Sequence, residues 1–443
     1  MVSPECNPEW ASVSLVGYKF FREIALRADV TLVTHERNRA ALERAGHSGI
    51  TFIPESRAMS LLYRAVGPIT SRVWPVHHLV TYPVYAEFNR RVRRLFGPMV
   101  EAGAFDIVHG LTPIMPRFPV ALAASCKNTP FLFGPLNGGV PYPAGFSGVA
   151  KREFAFFNFL RVLVDFLPGY TRTYRMASHI LAGSTYTMNF LKNHFDLPDD
   201  RITLFFENGV DQSFFAPVDR TESGTVCRLL FVGRLVPYKG ADMLVEAIGR
   251  LPMAVRNQVH LTVVGDGDER RALEQQVMDA GLTGIVEFTG WVSADATLQF
   301  YARSDVFCFP SVREFGGAVV MEAMATGLPS IVVDNGGIAE YVTKETGFKI
   351  PPKSREDVVE DLVRHITCLA VDPALRERMG NAARTRASAF EWGKKGAQVV
   401  SLYREVLDRD PRRTSRPAVG GTEARVQDNL GGGSGMGRTQ TLP

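Results

Sequence analysis

A chain of 443 residues is longer than one hydrophobic core usually fills, so we expect two domains. Hydrophobic residues make up 45% of the chain and charged residues 22%, which excludes a largely disordered protein. Because 50 Lys and Arg nearly balance 46 Asp and Glu, the net charge of +4 gives no indication of a nucleic-acid partner.

The five cysteines are scattered and fall into no Cys-x-x-Cys or Cys/His cluster, so we predict reduced thiols and no metal site. The first residues lack the basic and apolar regions of a signal peptide, and no export is expected. The most apolar stretch, Phe154 to Leu167, is interrupted by polar residues and is shorter than the ~20 residues of a spanning helix. The predicted location is therefore the cytoplasm.

The first half of the chain alternates short apolar segments with amphipathic ones. Helical apolar spacing is found from Tyr18 to Arg27, and the segment from Arg37 to Ala45 is polar and helix-forming. Ser184 is placed to cap a helix that runs through Leu191. The predicted strands are Val30 to Thr34, Phe105 to His109, Pro130 to Phe133 and His179 to Leu181. This alternation favours a parallel sheet covered by helices on both faces.

The same alternation is clearer after a linker from Pro217 to Thr225. The predicted strands are Arg228 to Val232, His260 to Val264, Val286 to Phe288, Val306 to Phe309 and Ser330 to Val333. The predicted helices are Ala241 to Arg250, Glu269 to Ala280, Ala294 to Ala302, Ala318 to Thr326, Arg355 to Leu369, Pro373 to Phe390 and Trp392 to Leu407. The sequence thus predicts an α/β fold with two doubly wound, Rossmann-like domains.

The loop after the first strand of the second half has the composition of an anion site. Gly233-Arg234-Leu235 follows this strand, and Lys239-Gly240 precedes the next helix. Open α/β sheets bind ligands beyond the carboxyl ends of their strands, where Gly lets the backbone approach and Arg and Lys supply charge. A solvated basic surface is the alternative. The Gly265-Asp-Gly267 turn at the next strand end is weak evidence, because tight turns also need glycine for structural reasons.

A second segment, Pro310 to Pro329, combines two carboxylates with a glycine pair. Glu314 lies in its loop, Gly316 and Gly317 precede a helix, and Glu322 lies within that helix. The free N–H groups of a helix start favour a phosphate or a hydroxyl, and carboxylates accept hydrogen bonds from vicinal hydroxyls. One interpretation is a pocket for a sugar and a phosphate. The other is a Glu that stabilises its own helix dipole and a helical Glu that faces solvent.

Together these segments resemble family 4 of the retaining glycosyltransferases. The resemblance rests on an ordered set of motifs: Gly233-Arg-Leu-(three residues)-Lys239-Gly240, Gly265-Asp-Gly267, Pro310-Ser311, Glu314-(seven residues)-Glu322, Gly327-Leu-Pro329, Asn208-Gly-Val-Asp211, Asp334-(one residue)-Gly336-Gly337 and Trp392. It covers roughly residues 13 to 408. The resemblance implies the GT-B fold, in which two Rossmann-like domains face each other across a cleft.

This fold implies a division of the chain into four parts. We expect an acceptor-side domain at residues 1–211, a nucleotide-sugar-binding domain at 225–390, a helix that crosses back to the first domain at 391–409, and a disordered tail at 410–443.

The resemblance also implies which residues bind the donor. Arg234 and Lys239 would neutralise its diphosphate, beside the close backbone approach that Gly233 and Gly265 allow. Glu322 would hold the ribose hydroxyls.

The transferred sugar and the base have their own implied contacts. Glu314 and the backbone N–H groups of Phe315, Gly316 and Gly317 would grip the sugar. Val292 would lie near the nucleotide base. His109, at a strand end of the first domain, would face the donor sugar, although a lone His is more often structural.

The implied activity is that of a hexosyltransferase. It would move a sugar from a UDP- or GDP-type nucleotide-diphosphate sugar to a glycan, lipid-linked or small-molecule acceptor, with retention of anomeric configuration and without a cofactor. Orientation and electrostatics would catalyse the reaction rather than a carboxylate pair, with closure about a hinge near Asn208 to Asp211. The alternative is a degenerate GT-B protein that binds a nucleotide-sugar or a partner without transfer. A phosphorylase is disfavoured because no motif matches a lysine that binds pyridoxal phosphate.

The start of the chain departs from the family pattern. The family usually opens with a strand and a Gly-rich loop, whereas this chain begins at Ser3-Pro-Glu-Cys-Asn-Pro-Glu-Trp10, as if inside that loop. We therefore expect the first strand to be missing. Gly138-Gly139 is a candidate to supply part of the lost phosphate contact, and a rigid turn is the alternative.

Two regions of the first half combine basic and aromatic residues. They are the segment from Phe88 to Phe96, with Arg90, Arg91, Arg93 and Arg94, and the stretch from Lys151 to Arg175. Peripheral contact with an anionic membrane, at the inner face of the plasma membrane, is one interpretation. Solvated helix faces with buried aromatic rings are the other.

Overall fold

The computed structural model describes residues 1–70, 74–153, 163–217 and 226–410 and places twelve strands in them. The strands are β1 Val33–His35, β2 Thr51–Ile53, β3 Val108–Gly110, β4 Phe131–Leu136, β5 His179–Ala182, β6 Ile202–Leu204, β7 Cys227–Val232, β8 Val259–Val264, β9 Val286–Gly290, β10 Val306–Phe309, β11 Ser330–Val333 and β12 Gly347–Ile350. The predicted tail from residue 411, linker residues 218–225 and residues 154–162 of the apolar stretch lie outside the described part.

Sixteen α-helices accompany the strands in the described ranges. They are α1 Val13–Ala25, α2 Arg39–Arg44, α3 Arg57–Thr70, α4 Trp74–Glu101, α5 Ser147–Arg152, α6 Tyr170–Met176, α7 Thr185–Phe195, α8 Ala241–Arg250, α9 Met253–Arg256, α10 Arg270–Asp279, α11 Ala294–Ala302, α12 Ala318–Ala325, α13 Ile338–Tyr341, α14 Arg355–Val371, α15 Pro373–Ala387 and α16 Trp392–Asp408. Among the residues the structure describes, we find no helix with the length and apolar character that a membrane span requires.

The last six strands form one parallel sheet in the order β12-β11-β10-β7-β8-β9. Their side chains are buried, as in Leu229 and Phe309, because helices cover a parallel sheet. The strand order reverses between β7 and β10. Ligands of open α/β sheets bind at such a switch point, so the loops after β7 and β10 are where a site is expected.

The N-terminal sheet contains a short strand position that the sequence led us to expect to be empty. Val2 lies between β1 and β3 and forms parallel bridges to Val33 and Gly110. Its N–H donates to the carbonyl of His109 at 2.8 Å, and its carbonyl accepts from the N–H of Leu111 at 2.9 Å. These bonds satisfy backbone groups that a vacant central position would leave unpaired. The expectation of a missing strand is therefore corrected, and the switch point of this sheet lies between Val2 and β3.

The last helix, α16, packs along α1 of the N-terminal domain. The Trp392 ring meets the Phe20 ring edge to face, with 5.1 Å between the ring centroids. Backbone bonds join Val210 to Phe390 and to Trp392, at 3.0 and 3.1 Å. A Cβ on Gly209 would lie 2.7 Å from the Trp392 ring, so only glycine allows this contact. The chain thus passes between the domains at Val210 and again at Phe390 to Trp392, and these two crossings lie side by side.

The basic segment of α4 turns its aromatic residues inward. Phe88 and Phe96 are 2% and 5% exposed and pack in the N-terminal core. Arg91 pairs with Glu87 of the preceding turn, with 2.7 Å between the charged atoms. This arrangement favours a solvated helix face over a membrane-binding one, and membrane contact stays a prediction.

Candidate functional site

Two charged side chains from loops far apart in sequence meet at the switch point of the C-terminal sheet. Lys239, after β7, forms an ion pair with Glu314, after β10. The side chains are 11% and 14% exposed, so the pair is mostly enclosed but partly accessible to solvent. Ser311 adds a hydroxyl 3.4 Å from the Glu314 carboxylate. Lys239, Glu314 and Ser311 thus form a polar cluster that contains one cation, one carboxylate and one hydroxyl.

Glycine explains how the two loops come so close. Gly240 has a φ of +72°, and a Cβ there would lie 2.4 Å from the carbonyl oxygen of Pro310. The Val312 N–H donates to the Tyr238 carbonyl at 2.9 Å, which joins the loops by a backbone bond. The glycine at position 240, beside the carbonyl of Pro310, therefore lets the two loops approach closely enough for Lys239 to reach Glu314.

Arg234 lies at the exposed rim of the same loop, where its Nη2 donates to the Tyr238 hydroxyl at 3.1 Å. Gly265, after β8, packs on Gly233, and a Cβ on Gly265 would lie 2.0 Å from the Gly233 carbonyl oxygen. Three of the predicted donor residues thus sit on adjoining loops. Their contact with a donor stays a prediction.

The predicted sugar-binding residues lie where α12 begins. Gly316 and Gly317 directly precede α12, and the Tyr341 hydroxyl donates to the Gly316 carbonyl at 2.8 Å. Gly317 has a φ of +27°, and a Cβ on it would collide with Ile338 at 2.5 Å. The helix start is therefore held against α13, next to Glu314.

Glu322 lies within α12 and accepts a hydrogen bond from the Tyr301 hydroxyl at 2.9 Å. Burial raises the pKa of its carboxyl to about 7, against the opposing effect of the Tyr301 bond. Asp211 of the hinge adds repulsion and Lys19 of α1 attraction. The carboxyl that we expect to bind ribose thus lies near the hinge and the N-terminal domain.

The raised pKa gives Glu322→Gln an expected pH dependence. The folded protein binds this proton more tightly than the unfolded chain does, so stability falls as pH rises from about 4.5 to about 7. A Gln side chain does not titrate, so the variant escapes that loss. Relative to the native protein, the unfolding free energy of the variant should rise by about 3 kcal/mol between pH 4.5 and pH 7.5. Urea unfolding at both pH values measures it.

The control for this experiment is Glu360→Gln, at an exposed position on α14. A change in stability that both variants share does not come from burial. An equal stability difference between Glu322→Gln and the native protein at pH 4.5 and pH 7.5 would contradict the role of burial.

Val292 follows β9 and is half-buried against the C-terminal core, while its neighbour Trp291 is 69% exposed. Contact between Val292 and a nucleotide base stays a prediction.

His109 does not face the crevice as expected. Its side chain is 2% exposed, and both ring nitrogens lie 2.6 Å from protein partners, the Tyr403 hydroxyl and the Gly134 carbonyl. Burial lowers the pKa of the imidazole to about 4, so the ring is neutral. Because a carbonyl only accepts, Nε2 carries the proton and Nδ1 accepts from Tyr403. The structure corrects the predicted position: His109 joins β3 to α16.

Gly138 also has a different environment from the one suggested. Its N–H donates to Asn137 at 2.9 Å and approaches the Thr187 hydroxyl at 3.1 Å. The N–H is thus bound within the protein rather than directed at a phosphate, which favours the rigid-turn interpretation.

Sequence reasoning missed two polar residues at the domain boundary, Asn137 and Glu207. Glu207 is 5% exposed, and burial raises the pKa of its carboxyl to about 7. Asn137 directly precedes the Gly138-Gly139 pair, and an Asn at that position is explicable as a turn residue. Glu207 directly precedes the hinge motif, and that position was the available signal.

The described residues contain no group of three or more His, Cys, Asp and Glu arranged to hold a metal ion.

Known proteins resemble this chain in both sequence and structure. Residues 219–386 match the family described as Glycosyl transferases group 1. D-inositol 3-phosphate glycosyltransferase of Geodermatophilus obscurus is 29% identical over 279 residues, which cover 59% of this chain and 60% of that protein. Sulfoquinovosyl transferase SQD2 of Arabidopsis thaliana is 32% identical over 201 residues, 42% of this chain and 37% of that protein. The chain spans about half the length of the curated relatives it matches.

Solved structures share the fold over most of the chain. Anabaena HepE in complex with UDP has a TM-score of 0.60 at 17% identity, over 91% of this chain and 98% of that chain. Sucrose-phosphate synthase from Thermosynechococcus elongatus has a TM-score of 0.61 at 20% identity, over 92% and 98%. The fold is the GT-B fold of glycosyltransferases, and the predicted fold class is confirmed. Within this chain, residues 219–386 are the part that matches the Glycosyl transferases group 1 family.

Proposed function

We propose that this protein is a glycosyltransferase that moves a sugar from a nucleoside-diphosphate sugar to an acceptor hydroxyl, with retention of anomeric configuration. The observation that carries the proposal is the convergence of Lys239, Glu314 and the start of α12 at the switch point of a group 1 domain. A cation, a carboxylate and a helix start at one strand end suit a sugar linked to phosphate.

In the proposed reaction the bond between the anomeric carbon and the phosphate oxygen breaks, and the acceptor oxygen bonds to that carbon on the same face. The acceptor proton passes to the leaving phosphate, so no separate carboxylate base is needed. Lys239 and Arg234 stabilise the charge that develops on the nucleoside diphosphate. Glu314 and the N–H groups at Phe315 to Gly317 orient the sugar.

At the nucleotide end of the donor, Glu322 is assigned to the ribose hydroxyls and Val292 to the neighbourhood of the base. Relatives that match this chain include a D-inositol 3-phosphate glycosyltransferase and a sulfoquinovosyl transferase by name. The first name supports a polar hydroxyl acceptor, and the proposed acceptors are a glycan, a lipid-linked glycan and a small molecule. A hexose donor is part of the same proposal.

A panel of UDP-, GDP- and ADP-sugars tests the donor by thermal shift. A ligand at 100 times its Kd stabilises the native state by about 2.7 kcal/mol, so the correct nucleotide should raise the Tm by several degrees. Free sugars and nucleosides without phosphate serve as controls and should leave the Tm unchanged. An unchanged Tm with every UDP-, GDP- and ADP-sugar of the panel would contradict the proposal.

Incubation of the stabilising donor with candidate acceptors then separates the two classes of function. Transfer, or slow hydrolysis of the donor, supports an enzyme. If the donor binds but is neither transferred to any acceptor tested nor hydrolysed, the result supports the alternative, a GT-B binding module without transfer activity.

A further inference from the structure

One buried amide connects the N-terminal domain to the backbone of the loop that is proposed to grip the sugar. Asn137 lies just after β4, and its Nδ2 donates to the carbonyl oxygen of Phe315 at 3.0 Å. The same Nδ2 lies 2.9 and 2.8 Å from the two carboxylate oxygens of Glu207. A single side chain of one domain thus contacts the hinge and the opposite domain together.

The orientation of this amide is fixed by its other end. The Asn137 Oδ1 accepts from the hydroxyls of Ser184 and Thr187, at 2.9 and 3.0 Å, and from the Gly138 N–H at 2.9 Å. Rotation of the amide would place Oδ1 against the Phe315 carbonyl and the Glu207 carboxylate, which only accept, and Nδ2 against the Gly138 N–H, which only donates. Asn137 is 1% exposed, and water does not replace these partners.

Glu207 fits against the same loop without spare room. A Cβ on Gly316 would lie 1.9 Å from a Glu207 carboxylate oxygen, and a Cβ on Gly183 would lie 2.4 Å from the other. The carboxylate is therefore clamped between a glycine of each domain. The positive charge of Lys395 on α16 and the negative charge of Glu314 also act on it.

We propose that Asn137 and Glu207 are positioning residues that form an interdomain latch with the backbone of Phe315 and Gly316. The latch holds this backbone in the geometry that orients the transferred sugar, so the sugar site is complete only while the domains meet. Nucleotide binding, which rests on Arg234 and Glu322, does not require the latch. This inference builds on the proposed function.

Other contacts also join the domains, and one of them, from Arg313, reaches the same loop. Arg313 donates to the Val140 carbonyl at 2.9 Å, and the Thr185 hydroxyl donates to Glu340 at 2.7 Å. Thr185 is exposed, and its partner Glu340 lies outside the loop that contains Phe315 and Gly316. Thr185→Ala is therefore a matched control: it removes an interdomain hydrogen bond and leaves Phe315 and Gly316 untouched.

The first arm of the test is amide hydrogen exchange in the full ligand-free chain. The N–H groups of Val312 and Val320 are hydrogen-bonded on either side of the loop, so they report its opening. Asn137→Ala should speed their exchange about tenfold, and Thr185→Ala should not. Equal exchange in Asn137→Ala and the native protein, with both folded, would overturn the latch.

The second arm separates nucleotide binding from sugar transfer. We expect Asn137→Ala to lower kcat about 100-fold while the Kd for UDP, GDP or ADP stays within about threefold of the native value. Glu207→Gln keeps one acceptor for Asn137 and should retain more activity than Glu207→Ala. An equal loss of kcat in Thr185→Ala, or a parallel loss of nucleotide affinity in Asn137→Ala, would overturn the latch.

The two arms keep this inference distinct from the proposed function. If no nucleotide binds the native protein, the proposed function fails, and the exchange experiment still decides whether Asn137 holds the loop.

Discussion

Replacing Lys239 with alanine is expected to lower the rate of sugar transfer by about two to three orders of magnitude. Its ammonium lies in a mostly enclosed site beside Glu314, where a positive charge is worth more than in bulk water. The charge on the leaving nucleoside diphosphate grows in the transition state, so its loss affects kcat more than donor affinity. Initial rates with the donor found by the panel measure the effect.

Two companion variants make that result interpretable. Lys344→Ala removes an ammonium that is 92% exposed and should leave transfer unchanged. Removal of Lys239 leaves Glu314 without its ion-pair partner, so Lys239→Ala combined with Glu314→Gln checks whether an unpaired carboxylate causes the loss. A rate for Lys239→Ala close to native would contradict the role assigned to this residue.

Replacing His109 with alanine is expected to lower the unfolding free energy by about 3 kcal/mol or more. The ring is buried and neutral, and its removal leaves a cavity and strips Tyr403 and the Gly134 carbonyl of their partners. Because His109 joins β3 to α16, the loss should appear in global unfolding by urea. Nucleotide affinity of the folded variant should stay native.

Tyr403→Phe is the graded control for His109→Ala. It removes only the hydroxyl that donates to Nδ1 and should cost about 1 kcal/mol. The opposite pattern, full stability with loss of donor affinity in His109→Ala, would restore the sequence-based expectation that this histidine faces the donor.

Part of the candidate site could be predicted because it is encoded locally. Gly233, Lys239 and Glu314 follow strands that are continuous apolar runs, and parallel topology places the ends of β7 and β10 side by side. Lys239 and Glu314 therefore meet in the folded chain, and donor binding by the motif residues stays a prediction. The resemblance to a family added the roles, which the geometry alone does not assign.

The N-terminal half was harder because its signals are short or mixed. β1 and β2 have three residues each, and Val2 completes the sheet through a single residue position. Helix α4 contains Pro83 and Pro98, residues that normally indicate helix ends, and neither α3 nor α4 was predicted. Tertiary packing determines these elements more than local propensity does.

Buried polar pairs were the least predictable feature. His109 ends the strand predicted from Phe105 to His109, and at such a position a functional and a structural histidine look alike in sequence. Its actual partner, Tyr403, is 294 residues away, and only the return of α16 brings the two together. Asn137 and Glu207 are 70 residues apart and likewise meet only in the folded chain.

Isothermal titration of UDP, GDP and ADP into the native protein and into the Arg234→Ala, Lys239→Ala double variant tests the central claim most directly. The account predicts that one nucleoside diphosphate binds the native protein and that the double variant binds it at least about 100-fold more weakly, since two charge-assisted contacts are lost. Equal affinity in the folded double variant, or nucleotide binding to neither protein, would contradict a donor site at the crevice.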